Sequence, residues 1–560
     1  MVVAVLAHAP CLGFGFHADD YGHQLVLRGL VDHPTIQPWN LYDFGGLPGP
    51  GDESWEAGSF PWWTSPDWNV RFFRPLTSLS LWLDHAVYGN QAAGYHASGL
   101  LYFALLLAIA LALYRRLGLP SRAVLLALLV LGLEDGGVIP VGWLANRNSL
   151  LEVLFQITAL LVLVRGGPLP VALLLAFGAS LAKESGVVTF AVLALYLMVA
   201  PGIGPTRRRV GIAACFGIAA AWVAWLVASG YGASCLFYPT PWDEPGAFLG
   251  RLAVLLPIGP VSLSSPLPSD ILFLRPSWAA PAAIACLLLA APVTAIVLRT
   301  VRSHPAVVFL GGWLLLTLIP QAGAPISDRL LLGPAVPFAA LLGLFLDRAL
   351  TPEFWVPKHV RTLALVLLVS AIPLSGLSLV ARGVQMAKLA TLSRDTVVQA
   401  DVGPPELGAR EVFWLQSPSE LPALVPISAW SIETGDLGVR HWVMQMGRRG
   451  VRWSRVDAHT FELESLDSPF ASGPLERVFL SHSDEFTVGQ RWSTALFEVE
   501  AIAVEPDGVR TIRVTCPDDL EDPRYRFLTW RDDRLRRIDP PAVGETLTLE
   551  TVPAPIPFVP

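Results

Sequence analysis

The sequence is poor in charged residues, in cysteine and in lysine, and these shortages exclude several classes of protein. Only 15% of its 560 residues are charged while 53% are hydrophobic, and the mean hydropathy of +0.51 is above that of a soluble domain. The five cysteines lack the spacing of a disulfide framework or a zinc site. A formal net charge of −7 argues against nucleic acid as a partner. These limits indicate a membrane protein.

Apolar runs are concentrated in the first part of the chain. Residues 1–382 contain one run after another, whereas residues 383–560 hold a large share of the acidic and basic side chains. We predict about eleven transmembrane helices, several of them shorter than the ~20 residues of an isolated span and therefore tilted or buried in a bundle. The runs lie at 2–16, 96–114, 121–139, 149–164, 169–182, 186–200, 210–230, 279–298, 305–320, 329–347 and 361–381.

Two apolar segments depart from this pattern. The run 2–16 has no basic region before it and no clean cleavage site, so it does not read as a signal peptide. A mis-assigned start codon, with part of the first helix missing, is an alternative reading of this run. The segment 247–266 contains Pro257, Pro260 and Pro266, and we expect it to be interfacial or re-entrant.

The distribution of basic residues predicts the orientation. If the amino terminus is inside, every short inside loop carries arginine or lysine, as the positive-inside rule requires. An odd number of spans then places residues 383–560 outside, together with a long first external loop at 17–93. Lysine occurs only at Lys183, Lys358 and Lys388, a bias typical of a GC-rich bacterial genome.

The two predicted external regions differ in composition. Residues 383–560 alternate in strand-like stretches such as HTFELESL and TALFEVEAIAVE, which predicts an extracytoplasmic β-rich domain built as a small sandwich or barrel. The first loop is rich in aromatic residues that suit the headgroup region, and a pair of amphipathic helices on the membrane fits it. Its tryptophans are Trp39, Trp55, Trp62, Trp63 and Trp68.

Charged side chains cluster on the predicted outside face. The Asp19-Asp20 pair directly follows the first apolar run, where desolvated carboxylates cost on the order of several kcal/mol unless they are paired or perform chemistry. The other clusters on this face are Arg71 and Arg74, Glu134 and Asp135, Asn146 and Arg147, Lys183 and Glu184, and Asp328 and Arg329.

Five segments, in matching order, carry a resemblance to a known family. They are HADDY at 17–21, the RFFRPL…GYH stretch at 71–107, VGWLANRNSLLEVLFQITALLVL at 141–163, LAKESGVVTF at 181–190 and SDRLLLGPAVPFAALLG at 327–343. Together they resemble the GT-C glycosyltransferases, polytopic enzymes that use polyprenyl-phosphate sugars. The likeness is greatest to the protein O-mannosyltransferase-like membrane proteins that often carry tetratricopeptide repeats. The resemblance covers most of residues 10–350 and implies an all-α, GT-C-like polytopic membrane domain.

The chain departs from the family pattern at three places. Glu134 and Asp135 stand where the family has His-Pro…Glu, which puts a role for that acidic residue in doubt. Leu330 and Leu332 replace the tyrosines of the last motif, a change that bears on the donor pocket. No helical repeat follows the membrane domain.

The resemblance also implies site residues for an inverting sugar transfer. Asp19 is implied as the carboxylate that orients or deprotonates the acceptor, with Asp20 in support, since two adjacent carboxylates raise each other's pKa. The leaving phosphate needs fixed positive charge, for which arginine's fork is well suited. The candidates for binding the donor phosphate or sugar are Arg74, Arg147, Lys183, Glu184 and Arg329.

Supporting roles and structural alternatives accompany these candidates. His96, Trp143 and Asp328 are possible support residues; Trp143 lies four residues before Arg147, so in a helix the two share a face. Structural alternatives are helix capping for the acidic pair, snorkelling for the arginines, and a mutual ion pair for Lys183 and Glu184. No cofactor is predicted; a divalent metal held by His17, Asp19 and Asp20 is conceivable, although adjacent residues rarely chelate one ion well.

These observations predict an integral-membrane glycosyltransferase of the bacterial inner membrane, acting in the cell envelope. It would transfer a hexosyl, mannosyl or pentosyl group from a polyprenyl-phosphate donor to a protein, lipid or glycan acceptor outside. Two other classes stay open. A transporter would place charges deep within helices or at paired broken helices, and a catalytically silent scaffold would bind a partner through its periplasmic domain.

Overall fold

Helices dominate the first part of the computed structural model, which describes residues 1–31, 36–46, 58–403 and 410–553. The Leu- and Ala-rich runs form these helices, and proline stands at the first position of several, where it removes no intrahelical hydrogen bond. The α-helices are α1 Val2–His8, α2 Asp19–Leu27, α3 Pro75–Tyr88, α4 Ala92–Arg116, α5 Ser121–Leu133, α6 Val138–Gly142, α7 Arg147–Val164, α8 Leu169–Ala182, α9 Val188–Val199, α10 Pro205–Ala228, α11 Pro245–Ser262, α12 Ile271–Leu274, α13 Ala279–Val301, α14 Val307–Leu318, α15 Leu332–Leu350, α16 Lys358–Val369, α17 Ser375–Val398, α18 Glu420–Leu424 and α19 Pro426–Thr434.

Several of these helices are long and apolar enough to cross a membrane, so the chain is an integral membrane protein. In the described part, 7 helices pass on length and composition, or 8 if the pair 121–133 and 135–142, bent by 51°, forms one span. Every predicted run is helical, but the runs near the start of the chain and at 169–182, 186–200 and 305–320 are shorter helices of 10–17 residues. Length and composition therefore do not confirm the predicted number of spans.

The segment expected to be interfacial or re-entrant is the helix α11, which holds Pro257 and Pro260 in its interior. At about 1.5 Å per residue it is ~27 Å long, which is the length of a span, but both of its ends contact residues of the predicted outside face. Glu244, which precedes it, pairs with His482 of the carboxy-terminal region at 2.5 Å. Ser262 at its other end donates to Asp328 at 2.7 Å.

The carboxy-terminal region, residues 410–553, is β-rich, and we call it the β domain. One antiparallel sheet has the order β13-β6-β7-β10-β9-β8, and a second has the order β12-β11-β4-β5 with parallel pairing of β4 to both neighbours. The strands are β4 Glu411–Trp414, β5 Arg440–Val443, β6 Val451–Arg455, β7 Thr460–Ser465, β8 Arg491–Ser493, β9 Glu498–Glu505, β10 Gly508–Thr515, β11 Tyr525–Arg531, β12 Arg534–Ile538 and β13 Thr546–Leu549. The predicted helical membrane part followed by a β-rich part is thus confirmed.

The two sheets of the β domain share an aromatic core. Phe413 of β4 packs against Phe527 of β11 within its own sheet and against Phe461 of β7 in the other. Helices α18 and α19 connect β4 to β5, because parallel neighbours need a crossover rather than a hairpin. Helix α17 runs through the predicted boundary at 382/383 and ends at Val398.

Three of the five tryptophans of the first loop are buried inside the protein, which differs from the expected exposure to headgroups. Trp62, Trp63 and Trp68 are at most 5% exposed. Their indole N–H groups donate to main-chain carbonyls of Met444, Glu476 and Val478 in the β domain, at 3.0, 3.1 and 2.9 Å. A buried indole needs such a partner, and the neighbouring domain supplies it. Trp39 is 56% exposed, and Trp55 lies outside the described residues.

A small three-stranded sheet and α2 and α3 complete the first loop. Strands β1 Asp43–Gly46, β2 Asn69–Arg71 and β3 Gly232–Ser234 form this sheet, which joins the loop to the segment after α10. Helix α2 is largely buried. Helix α3 presents an exposed apolar face that includes Leu79, Trp82, Leu83 and Val87, so it alone of the two has the surface of an interfacial helix.

Candidate active site

The site is built around the start of helix α2, where Asp19 and Asp20 occupy the first turn. Ala18, directly before them, has φ 49°, a left-handed conformation that side chains other than glycine rarely adopt. Strain of this kind costs on the order of 1–3 kcal/mol and persists where the surroundings hold it in place. The first-turn position also puts both carboxylates at the positive end of the helix.

Asp19 is partly exposed and makes no hydrogen bond or ion pair with any residue of the described ranges. Burial raises the pKa of Asp19, and the positive charges of Arg329 and Arg74 oppose that rise. A carboxylate with a raised pKa, two nearby cations and no bonded partner is suited to take a proton from a bound molecule.

Asp20 is held in place by the main chain. Its Oδ1 accepts the N–H of Ala145 at 2.8 Å, and its Oδ2 accepts the N–H of His17 at 3.2 Å. Burial raises the pKa of Asp20 to about 8, and the charge of Asp19 adds to the rise, while the two N–H donors lower it. The His17 ring lies 3.6 Å away, and burial lowers the pKa of His17 to about 4, so the ring is neutral near pH 7. Asp20 therefore fixes the start of α2 against the segment before α7.

Arg74 stands at the start of helix α3 and is bound by two kinds of contact. Its guanidinium makes a two-pronged ion pair with Glu184, with Nη2 at 2.8 Å and Nε at 3.0 Å from Oε2. The same group lies over the rings of Tyr42 and Phe72, 4.9 and 4.4 Å from their centroids. Ring faces and a carboxylate hold the arginine in one orientation.

Lys183 and Glu184 do not pair with each other. Glu184 pairs with Arg74, while Lys183 donates from Nζ to Ser149 Oγ at 2.9 Å and lies 3.9 Å from Glu152 Oε2. Burial lowers the pKa of Lys183 to about 8, against the raising influence of Glu152. The predicted mutual ion pair is replaced by contacts to two other segments, because adjacent residues at the turn between α8 and α9 point to different sides.

Arg329 lies in a short 3-10 helix, Asp328–Leu330, and stacks on Trp143 with its Cζ 5.4 Å from the ring centroid. It makes no hydrogen bond or ion pair with the residues that the structure describes. The electrostatic neighbours of Arg329 include Asp19, Lys183 and Tyr238. A half-buried guanidinium without a carboxylate is suited to an anionic ligand.

Arg147 does not join this group. It is 1% exposed, donates to Asp84 at 2.5 Å and to the Tyr95 carbonyl at 2.6 Å, and lies 5.7 Å from the Tyr102 ring. The predicted shared helix face of Trp143 and Arg147 is wrong, because a 3-10 turn at Leu144–Asn146 separates them and α7 begins only at Arg147.

The predicted support residues lie in different surroundings. His96 is fully buried, packs edge-on against Phe14 at 6.0 Å, and its ring nitrogens find no hydrogen-bond partner among the described residues. Asp328 points away from Arg329 and accepts hydrogen bonds from Ser262, Ser269 and Arg382. No group of three or more metal-binding side chains occurs within the described ranges, and the segment 17–20 forms none.

Three residues that sequence reasoning missed contribute to these surroundings. Tyr238, on the segment after α10, is an electrostatic neighbour of Arg329, Asp19 and Arg74, and burial raises its pKa. Glu152 faces Lys183, and Arg382 binds Asp328. The first two lacked a motif, whereas Arg382 stands directly after a predicted apolar run and could have been read as a functional charge at its end.

No family model and no curated protein matches this sequence. The structure is similar to crystal structures that share 14% sequence identity with it. One is ArnT from Cupriavidus metallidurans bound to undecaprenyl phosphate, with a TM-score of 0.42, covering 79% of this chain and 84% of that one. The same protein in the apo state gives 0.34, with 72% and 83% covered. The Archaeoglobus fulgidus oligosaccharyltransferase tethered with an acceptor peptide gives 0.36, with 80% of this chain and 63% of that chain covered.

Proposed function

We propose that this protein is an integral-membrane GT-C glycosyltransferase that transfers a sugar from a polyprenyl-phosphate donor to an acceptor outside the membrane, with inversion. The observation that carries the proposal is the arrangement of Asp19 and Arg329. Both are partly exposed, each lies within the other's field, and neither has a bonded partner among the described residues. A carboxylate and a guanidinium arranged in this way suit a reaction in which one bound molecule loses a proton and another gains negative charge.

The reaction assigns a role to each group. The acceptor's hydroxyl or amide attacks the anomeric carbon and gives its proton to Asp19, while the bond from that carbon to the phosphate oxygen breaks. The leaving polyprenyl phosphate gains one negative charge, which Arg329, Arg74 and Lys183 stabilise. Attack from the face opposite the phosphate inverts the anomeric carbon. Asp20 orients the helix that carries Asp19, and Arg147 supports α3 through Asp84.

The position of the charges favours surface chemistry over transport. Arg74 stands at the start of α3, Lys183 lies between α8 and α9, and Arg329 precedes α15, so all three lie outside the interiors of the apolar helices. Fixed charges at helix ends suit a phosphate at headgroup level, where the polyprenyl chain stays in the lipid. We place the active site and the β domain on the periplasmic side of a bacterial inner membrane, as the positive-inside distribution predicts.

The test uses the full chain in lipid nanodiscs with radiolabelled polyprenyl-phosphate hexoses and pentoses and a cell-envelope extract as the source of acceptor. We expect Asp19→Asn to bind donor but to transfer sugar about 10²- to 10⁴-fold more slowly, because the proton acceptor is removed while shape is retained. Asp67→Asn, which changes an exposed carboxylate of the same loop, is the matched control and should transfer at the wild-type rate. Wild-type turnover in Asp19→Asn would overturn the catalytic assignment; absence of donor binding by the wild type would overturn the enzyme class.

A further inference from the structure

A second charged group lies beside the proposed active site and is fully paired. Arg382 of helix α17 contacts carboxylates from three separate segments, and we call these four residues the Arg382 cluster. Its Nη1 lies 3.1 Å from Asp135 and 2.6 Å from Asp328, and its Nη2 donates to Asp270. The Arg382 side chain is 12% exposed. The segments thus joined are the turn after α5, the loop after α11 and the 3-10 helix before α15.

Within this cluster Asp328 is the most constrained carboxylate. Besides Arg382, it accepts the Ser269 main-chain N–H at 3.0 Å and hydroxyl hydrogen bonds from Ser269 at 2.5 Å and Ser262 at 2.7 Å. Asp270 adds a second connection to the same turn, since its Oδ1 accepts Ser327 Oγ at 2.5 Å and the Asp328 N–H at 3.2 Å. The 3-10 helix Asp328–Leu330 is therefore held by both its side chain and its main chain.

Arg329 is the next residue, and its own side chain lacks comparable support. Apart from Trp143 beneath its guanidinium, no described residue bonds to it. The direction of the Arg329 side chain depends on the backbone of the turn 327–330. Asp328 and Asp270 hold that backbone, and Arg382 binds both of these carboxylates. A hydrogen bond to phosphate depends on placement of the guanidinium to within a fraction of an ångström. The residue that fixes this turn therefore determines whether Arg329 can reach the phosphate.

We propose that Arg382 is a positioning residue for phosphate binding, which holds the turn 327–330 so that Arg329 faces the donor's phosphate. This inference rests on the proposed function, since it assumes that Arg329 contacts the phosphate. Arg382 itself is directed at the three carboxylates and does not touch the ligand. Its planar fork is required because a single ammonium cannot reach three carboxylates placed on different sides of it.

The test is a double-mutant cycle between Arg382 and Arg329, read as the dissociation constant of a fluorescent long-chain polyprenyl phosphate in nanodiscs. We expect Arg329→Gln and Arg382→Lys each to weaken binding by about tenfold, the effect of removing one charge-assisted hydrogen bond to the phosphate. In the double variant we expect no further weakening beyond about twofold, because Arg382 acts only through Arg329. Lys388→Gln, an exposed cation on the same helix, is the control and should leave the affinity unchanged.

The outcomes separate the inference from the function on which it rests. If Arg382→Lys lowers the melting temperature but not phosphate affinity, Arg382 is structural only and the inference is wrong. If the two effects multiply in the double variant, Arg382 acts independently of Arg329 and the inference is also wrong. If Arg329→Gln itself leaves phosphate binding unchanged, the proposed phosphate site fails as well. Asp328→Asn keeps the side chain's shape without its charge, and it should reproduce the effect of Arg382→Lys if a larger change at Arg382 prevents folding.

Discussion

Two arginines near the same end of the helical part, Arg382 and Arg329, have opposite surroundings. Arg382 is in contact with three carboxylates, whereas Arg329 stacks on one indole ring and has no carboxylate partner among the described residues. Burying a charge is costly unless it is paired, so the first arrangement stabilises the fold and the second leaves binding free energy available for an anion. On this difference we assign Arg382 a structural role and propose Arg329 as a phosphate ligand.

Removing the paired arginine, Arg382, should have the largest effect on stability. We expect Arg382→Leu to lower the free energy of unfolding by about 3–5 kcal/mol, because the buried carboxylates of Asp135 and Asp328 and the partly exposed one of Asp270 lose their common counter-charge. Thermal unfolding in nanodiscs measures this decrease. Lys388→Leu, on the same helix but exposed, should change stability by about 0.5 kcal/mol or less. An equally small effect of Arg382→Leu would mean that the carboxylates find other partners.

Removing the unpaired arginine, Arg329, should change stability little and phosphate binding strongly. We expect Arg329→Gln to change the free energy of unfolding by about 1 kcal/mol or less, the value of the ring contact with Trp143. Binding of the polyprenyl phosphate should become less favourable by about 1.4 kcal/mol, the tenfold loss expected for one charge-assisted hydrogen bond from Arg329 to the phosphate. Paired measurements of unfolding and binding on the same preparation check both values. A decrease in stability as large as that of Arg382→Leu would show that Arg329 has a structural partner.

A smaller effect should appear in the pH dependence of sugar transfer. Burial raises the pKa of Asp19, and Arg329 lowers it. Because catalysis needs the ionised form, kcat/KM falls as pH drops through this pKa, and removing Arg329 moves that acid limb to higher pH. Residual turnover of Arg329→Gln measured against pH tests the direction. Lys388→Gln should leave the limb where it is in the wild type, and a downward shift in Arg329→Gln would contradict the assignment of Asp19 as base.

The smallest effect concerns the interface between the first loop and the β domain. Trp68→Phe keeps the ring in its buried position but removes the hydrogen bond to the Val478 carbonyl. We expect the free energy of unfolding to fall by about 1 kcal/mol, for one buried hydrogen bond whose acceptor is left unpaired. Trp39→Phe, at a ring that is 56% exposed, is the control and should be close to neutral. Equal stability of the two variants would show that water replaces the indole donor.

The general architecture could be predicted from the sequence because its signal is local. Long apolar runs indicate helices, and alternation of apolar and polar residues indicates strands. The structure contains the predicted helical part followed by a β-rich part. The number of spans could not be predicted, because several apolar helices are shorter than an isolated span. Crossover helices between β4 and β5 were missed because parallel pairing is a property of distant strands.

For the candidate site, the sequence indicated which charged residues to consider but not which partners they have, because most of those partners are remote in the chain. Arg74 and Arg329 act electrostatically on both Asp19 and Lys183, and the roles given to these four residues stay predictions. Arg147 looked like a free cation because its partner Asp84 is 63 residues away.

Arg382 was not predicted as a site residue for the same reason. Its three carboxylates lie 54, 112 and 247 residues before it, and no motif of a few residues records such distances. Asp328, which the sequence suggested as a support residue, accepts a hydrogen bond from this remote partner, and its support of the site stays a proposal.

The hydrogen bonds between the first loop and the β domain also bear on the order of synthesis. Trp62, Trp63 and Trp68 bond to residues 382, 413 and 410 positions later, and Tyr21 of α2 bonds to Glu433, 412 positions later at 3.2 Å. Val478, the last of these partners, is therefore synthesised only after every apolar run of the chain. Helix α2, which carries Asp19, lacks its contact with Glu433 until then, so a chain that ends before residue 433 would not complete the surroundings of the proposed active site.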